Sequence, residues 1–175
     1  MSDSSLLDGK KILIVDDEPD VLEVLEELLS MCEVVKASSF EGAKELLEAQ
    51  AFDMAILDIM GVNGYALLDI ARQKKVTAVM LTAHALTPDN VVRSIKEGAA
   101  SYIPKDEIAN IAVFLIDVLK AQEAGKSTWG PWQERLPSSY FEKKWGAAWQ
   151  DTDKAFWERF RASLKSRKPQ AKNNE

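Results

Sequence analysis

The chain has 175 residues, 46% hydrophobic and 29% charged, with a formal net charge of −6; that composition supplies a buried core and excludes a disordered or fibrous protein. The longest apolar runs, such as Ile108 to Leu119, are broken by polar residues (there Asn110 and Asp117) and fall short of the roughly 20 apolar residues that cross a bilayer. Residues 1–125 hold 22 acidic against 11 basic side chains, and residues 126–175 hold 6 against 11, an asymmetry that suggests two functional segments and admits nucleic acid as a partner of the second.

Met1 to Lys11 is polar and acidic, with no apolar run behind a basic start, so no signal peptide is expected and a soluble, cytoplasmic protein is. The single cysteine, Cys32, cannot form an internal disulfide, which fits a reducing compartment; its apolar surroundings predict a buried thiol.

Lys11–Val15 (KILIV) is a continuous apolar run of the kind found in strands buried on both faces. Pro19 suits the first turn of a helix whose apolar face is Val21, Leu22, Val24, Leu25, Leu28 and Leu29. A short strand over Val34–Ala37 follows, then a helix over Phe40–Ala49 with Ser39 as its N-cap. Met54–Leu57 is the third strand and runs into Asp58. Gly61 and Gly64 mark a tight loop before a helix over Tyr65–Arg72. Thr77–Leu81 is the fourth strand, Pro88–Glu97 a helix closed by Gly98, Ser101–Ile103 the fifth strand and Ile108–Glu123 the last helix of this unit.

Strands alternating with helices imply right-handed βαβ crossovers and a parallel sheet covered on both faces, an α/β fold. The predicted order is 2-1-3-4-5, the flavodoxin-like doubly wound arrangement, in which ligands bind beyond the carboxyl ends of the strands. Asp16, Asp17 and Glu18 follow the first strand, Asp58 the third, Thr82 the fourth and Lys105 the fifth. Taken singly, an aspartate after a strand is a turn former, Thr82 a cap and Lys105 a solvated side chain. All of these types at four strand ends point to chemistry instead. Crowded carboxylates raise one another's pKa unless a cation sits among them, and Mg²⁺, a hard ion with oxygen ligands and exchangeable waters, suits them. Such an ion, Lys105 and the Thr82 hydroxyl would hold the oxygens of a phosphoryl group in transit, with Asp58 as the nucleophile that forms an acyl phosphate.

ILIVDDEPD at 12–20, ILDIM at 56–60, MLTAHA at 80–85 and SYIPK at 101–105 resemble the signature stretches of response-regulator receiver domains, over about residues 9–123. The resemblance implies Asp58 as phosphoacceptor, catalysis supported by Thr82 and Lys105, and Asp17 and Asp58 as direct Mg²⁺ ligands. Asp16 would act through water and the main-chain carbonyl of Met60 would be a further ligand. Thr82 and Tyr102 would be the switch pair, Tyr102 moving inward on activation, and Met60 and His84 would tune the lifetime of the acyl phosphate. The implied donor is a sensor histidine kinase or a phosphotransfer protein. Family members commonly carry a Met-Pro step and a longer loop after the phosphoacceptor; Asp58-Ile-Met-Gly-Val-Asn-Gly64 is shorter.

The expected organisation is a receiver at 9–124, a Trp-rich helical extension at 126–165 and a disordered tail at 166–175. Lys126–Trp132 looks like a connector broken at Gly130-Pro131. Phe141, Trp145, Ala148 and Trp149 share one predicted helical face. A second helix, capped by Asp151 or Thr152, carries Phe156, Trp157, Phe160 and Leu164. Two such helices are too small for a core of their own. Their aromatics are therefore expected against the receiver, against a second copy or against a partner, and the extension, following the last receiver helix, is placed to feel phosphorylation. A homodimer through the fourth helix, fifth strand and fifth helix, or through the aromatic tail, fits this pattern. The function expected is a two-component protein that is not an enzyme beyond its own phosphotransfer and autodephosphorylation and switches protein–protein contacts, with no membrane and no nucleic acid among its partners. The alternatives are a DNA-binding transcriptional regulator acting through the basic tail, including Lys165, Arg167, Lys168 and Lys172, and a Mg²⁺-dependent phosphohydrolase, against which the lack of acid/base residues other than His84 counts.

Overall fold

β1 (Lys11–Val15) lies between β2 (Glu33–Ala37) and β3 (Met54–Asp58), and β4 (Thr77–Thr82) and β5 (Ser101–Pro104) complete a parallel sheet of order β2-β1-β3-β4-β5. The computed structural model describes residues 3–83 and 86–173, with side chains for all of these except residues 3, 4, 152 and 165–173. Every residue of the central β3 is buried, as an apolar run covered on both faces must be. The edge strand β2 is largely half-buried or exposed.

The crossovers are α1 (Pro19–Leu28), α2 (Phe40–Ala49), α3 (Gly64–Gln73) and α4 (Pro88–Lys96), followed after β5 by α5 (Ile111–Glu123). Pro19 and Pro88 sit in first turns, where a helix has no use for the missing N–H. Ser39 Oγ accepts from the Gly42 N–H at 3.1 Å and Thr87 Oγ1 from that of Asn90 at 3.2 Å, so two helix starts are side-chain capped. α5 begins at Ile111 rather than Ile108, because Lys105–Asn110 first winds as a 3-10 turn. The flavodoxin-like topology predicted from the sequence is the one observed. At the N-terminus, a 3-10 turn over Asp3–Leu7 buries Leu7 completely, and its carbonyl accepts the Cys32 thiol at 3.4 Å. Cys32 itself is half-buried, not fully buried as expected.

The extension departs from the sequence prediction in several places. Trp129–Arg135 is a helix, α6, where Gly130-Pro131 suggests a break. Pro131 falls in its first turn, whose N–H groups have no intrahelical acceptor, so the ring is tolerated. α7 (Ser138–Trp145) stops at Gly146, whose φ of +91° a side chain rarely adopts. The predicted face from Phe141 to Trp149 is thereby split: Ala148 is exposed and Trp149 turns back inside. α8 (Lys154–Asn173) follows a 3-10 turn at Asp151–Asp153. Asp153 caps it, accepting from the Phe156 N–H at 3.3 Å, next to the two candidates the sequence offers. Its backbone is helical through residues 166–173, where the composition predicts a disordered end. A helix nucleated by buried Phe156, Trp157 and Phe160 propagates more easily than it starts, but Pro169 lies within this end and opposes it, so helix propensity does not account for the last turns. The side chains of Lys165, Arg167, Lys168 and Lys172 lie outside the described residues.

The aromatics of the extension pack against the sheet domain of the same chain. Trp129 meets Trp132 at 5.0 Å between ring centroids, Trp132 meets Phe141 at 5.7 Å, Phe141 meets Trp149 at 5.3 Å and Trp149 meets Trp157 at 5.1 Å. Trp157 meets Phe160 at 5.5 Å, and Phe160 returns to Trp129 at 6.5 Å. These contacts close a ring. Two indoles reach into the sheet edge: Trp129 Nε1 donates to the Ala99 carbonyl at 3.1 Å and Trp132 Nε1 to that of Tyr102 at 2.7 Å. Arg135 pairs with Asp117 on α5, and Lys96 of α4 lies 3.9 Å from Asp153 and over the Phe156 ring. The extension therefore covers the α4–β5–α5 face, and a homodimer through that face requires it to leave. Among the described residues no helix is long and apolar enough to cross a membrane.

Trp157, only 2% exposed, lies inside this ring, which forms one hydrophobic core with the sheet. Trp157→Ala is expected to destabilise the whole chain by about 3–5 kcal/mol, read as a lower urea midpoint of the far-UV transition. An unchanged midpoint would mean that the extension is energetically separate from the sheet.

Candidate functional site

Strand register assembles the site. Val15 of β1 pairs with Leu57 of β3, so the next residues, Asp16 and Asp58, emerge side by side. Asp58 pairs with Leu81, the residue before Thr82, and Thr82 pairs with Pro104, the residue before Lys105. Four stretches distant in sequence thus deliver Asp16, Asp58, Thr82 and Lys105 to one end of the sheet. Asp16 is 1%, Asp58 6% and Thr82 0% exposed. Oxygens of Asp16, Asp17 and Asp58 lie within 4.8 Å of one another, close enough to hold one metal ion. Hard carboxylate donors crowded in this way, two of them buried, fit a hard divalent cation.

Lys105 balances part of this charge. Its ammonium lies 2.8 Å from Asp16 Oδ2, 3.0 Å from Glu18 Oε1 and 3.7 Å from Asp58 Oδ1. Burial works to lower its pKa, but the bonds to Asp16 and Glu18 outweigh it and hold the ammonium above its ordinary value. The Glu18 N–H donates to Asp16 Oδ1 at 2.9 Å, so both Asp16 oxygens are oriented. Asp58 is pushed up to about 6, first by burial and then by Asp16, with Asp17 adding to the rise and Lys105 opposing it. Like charges in a partly dry pocket behave in this way.

The loop after Asp58 closes on the site through two glycines. A Cβ on Gly61, whose φ is +89°, would stand 2.5 Å from Asp17 Oδ2, and one on Gly64 would stand 2.1 Å from the Asp58 carbonyl oxygen. The Asp17 carboxylate at Gly61 and the Asp58 backbone at Gly64 take the space a side chain would occupy, which is how so short a loop fits. Asn63 precedes α3 in the left-handed region, with φ +56°, and its side chain makes no capping hydrogen bond. Met60 projects its side chain outward, 53% exposed.

Tyr102 is fully buried, and burial pushes its phenol well above the ordinary value while a hydrogen bond from the Thr87 backbone opposes the rise. Beside it, the Tyr65 hydroxyl bonds Ser94 Oγ at 3.0 Å and the Asn90 carbonyl at 3.0 Å, tying α3 to α4. His84 lies outside the described residues. The sequence offers Glu18 as a strand-end acid without foretelling its bond to Lys105. No local signal identifies that partner, since the two residues are far apart in the chain and meet only through strand order.

The family model for the response regulator receiver domain matches residues 12–113. The two-component response regulator ARR18 of Arabidopsis thaliana is 36% identical over 103 residues, covering 55% of this chain and 16% of that protein. The transcriptional regulatory protein CpxR of Escherichia coli is 39% identical over 100 residues, covering 54% of this chain and 42% of that protein. The chain thus spans less than half the length of either relative. Among solved structures, a CheY-like response regulator receiver domain protein from Methanospirillum hungatei superposes with a TM-score of 0.55 at 28% identity, covering 64% of this chain and 98% of that one. A response regulator from Thermotoga maritima gives 0.58 at 18% identity, covering 64% and 98%, a likeness of fold.

The Asp58 carboxyl, raised to about 6 from an ordinary 3.8, binds a proton more readily in the folded than in the unfolded chain. In chelator, its contribution to stability therefore falls as pH rises through that window and is at its most unfavourable above it. Asp58→Asn removes the burdened charge, so the variant is expected to exceed the parent by about 1–3 kcal/mol near pH 7, with the gap closing as pH falls towards 4. Chemical denaturation at both pH values measures it, and a constant gap would contradict the raised pKa.

Proposed function

The chain belongs to the response-regulator receiver domain family, and on that premise we propose that it is a two-component phosphoacceptor that takes a phosphoryl group on Asp58 from a histidine kinase or phosphotransfer protein and answers by changing protein–protein contacts. The observation that carries this reading is the buried Asp58 carboxylate, ringed by Asp16 and Asp17 within one ion's reach and by Lys105 at 3.7 Å. The receiver unit is taken as residues 9–124 and the helical extension as 126–165.

In this reading Asp58 attacks the donor's phosphorus. The new acyl O–P bond forms as the donor's bond to phosphorus breaks, and that electron pair leaves with the donor. Asp17 and Asp58 would hold Mg²⁺ directly, with Asp16 through water and the Met60 carbonyl as a further ligand. When bound, the ion supplies charge neutralisation to the phosphoryl oxygens. Lys105 turns from Glu18 towards those oxygens, and the Thr82 hydroxyl donates to them. With no general base needed, the protein works by positioning and charge, so it carries out its own phosphotransfer and dephosphorylation without turning over an external substrate. His84 and Met60 are assigned the tuning of phosphoryl lifetime. Tyr102 is already inside, so the switch here runs through Thr82 and the segments leaving β4 and β5, with Tyr102 as a packed pivot between them. The output assigned is a change of protein contacts rather than DNA binding, through the face that the extension covers.

Incubation with Mg²⁺ and acetyl phosphate is expected to add the mass of one phosphoryl group to the parent chain and none to Asp58→Asn, read by intact mass. A folded parent that gains nothing would refute the phosphoacceptor assignment.

A further inference from the structure

Two segments leave the candidate site, one after β4 and one after β5, and the same helix end touches both. Trp145 Nε1 donates to the Leu86 carbonyl at 3.2 Å, on the chain running from Thr82 into α4. Lys144, its neighbour, places its ammonium 2.9 Å from Asp106 Oδ2, and Asp106 directly follows Lys105. The last two residues of α7 therefore bridge the stretches next to two of the groups that would contact a phosphoryl group. We propose that this end of α7 is a latch that reads the phosphorylation state of Asp58, an inference that rests on the phosphoacceptor reading above.

The latch is built to be weak where the rest of the extension is firm. Asp106 is 68% exposed and Lys144 31%, and a pair so open to water contributes little. Trp145 is half-buried and gives the Leu86 carbonyl a single hydrogen bond. By contrast, Trp129 and Trp132, 7% and 3% exposed, hold the backbone of Ala99 and Tyr102 from inside the core. α6 is thus fixed to the scaffold, whereas the α7 end reaches the segments after β4 and β5 through these two replaceable polar contacts.

Phosphorylation acts on both contacts at once. A phosphoryl group brings close to two negative charges into a pocket where Lys105 now bonds Asp16 and Glu18. Drawing Lys105 towards it moves Asp106, the next residue. Drawing the Thr82 hydroxyl towards it moves the segment that carries Leu86. Trp145 cannot follow either one, because its ring is stacked on Phe141 at 4.8 Å and set against Trp149 at 5.3 Å. Both bonds lengthen, and the last turn of α7 lets go of the receiver while α6 stays.

The test is hydrogen exchange on the full chain with Mg²⁺, with and without acetyl phosphate, while intact mass reports the adduct. Residues 138–149 are expected to exchange about fivefold faster or more once phosphorylated, with residues 129–136 unchanged. An adduct with unchanged exchange over 138–149 overturns the latch and leaves the phosphoacceptor reading standing. No adduct on a folded chain overturns that reading and the latch with it. The variant K144A/W145F keeps an aromatic ring against Phe141 and is expected to show the fast exchange without any phosphoryl group. Exchange as slow as in the parent would remove these two residues from the proposal.

Discussion

One ammonium group set among three carboxylates governs the business end of this molecule. Lys105 reaches Asp16, Glu18 and Asp58 from the far side of the strand-end crevice, and it only partly offsets their charge. The remaining imbalance is visible in Asp58, which is held well above the ordinary carboxylate range. A pocket left short of positive charge favours whatever supplies it. A divalent cation would do so directly, and that demand gives the acidic cluster its chemical meaning.

The same lysine begins the segment that meets the extension. The α4–β5–α5 face is covered by the chain itself: Trp129 and Trp132 bond backbone carbonyls of Ala99 and Tyr102, and their rings belong to a closed aromatic set with Phe141, Trp149, Trp157 and Phe160. Aromatic pairs in edge and stacked geometries each add a modest increment beyond area burial, and a closed ring of them makes the helices of the extension interdependent. So few residues bury little surface by themselves, and the extension's aromatics share one hydrophobic core with the sheet.

The short loop after Asp58 shows how backbone can substitute for length. Gly61 lies against the Asp17 carboxylate and Gly64 against the Asp58 carbonyl, so the chain turns into α3 within a space that any Cβ would fill. The two glycines are legible in the sequence as turn formers. Their closeness to Asp17 and Asp58 is not, because it depends on how strands far apart in the chain are placed side by side.

The amino-acid sequence by itself determined the alternation of strands and helices and the identity of the strand-end residues, because strands buried on both faces write continuous apolar runs and amphipathic helices a period of about 3.6 residues; the strand order followed from the handedness of the crossovers between them. It did not determine α6, where Pro131 signals a break yet occupies a helix's first turn, nor the split of the Phe141–Trp149 stripe at Gly146, where one positive φ outweighs an unbroken pattern. Nor did it decide what the aromatics cover: an apolar stripe states that a face must be buried without stating against what. Tertiary structure alone chose the receiver of the same chain, brought Glu18 to Lys105 and set Lys144 and Trp145 across the two segments leaving the site. Those choices are contacts between distant residues, and their energies belong to pairs that exist only once the sheet has closed.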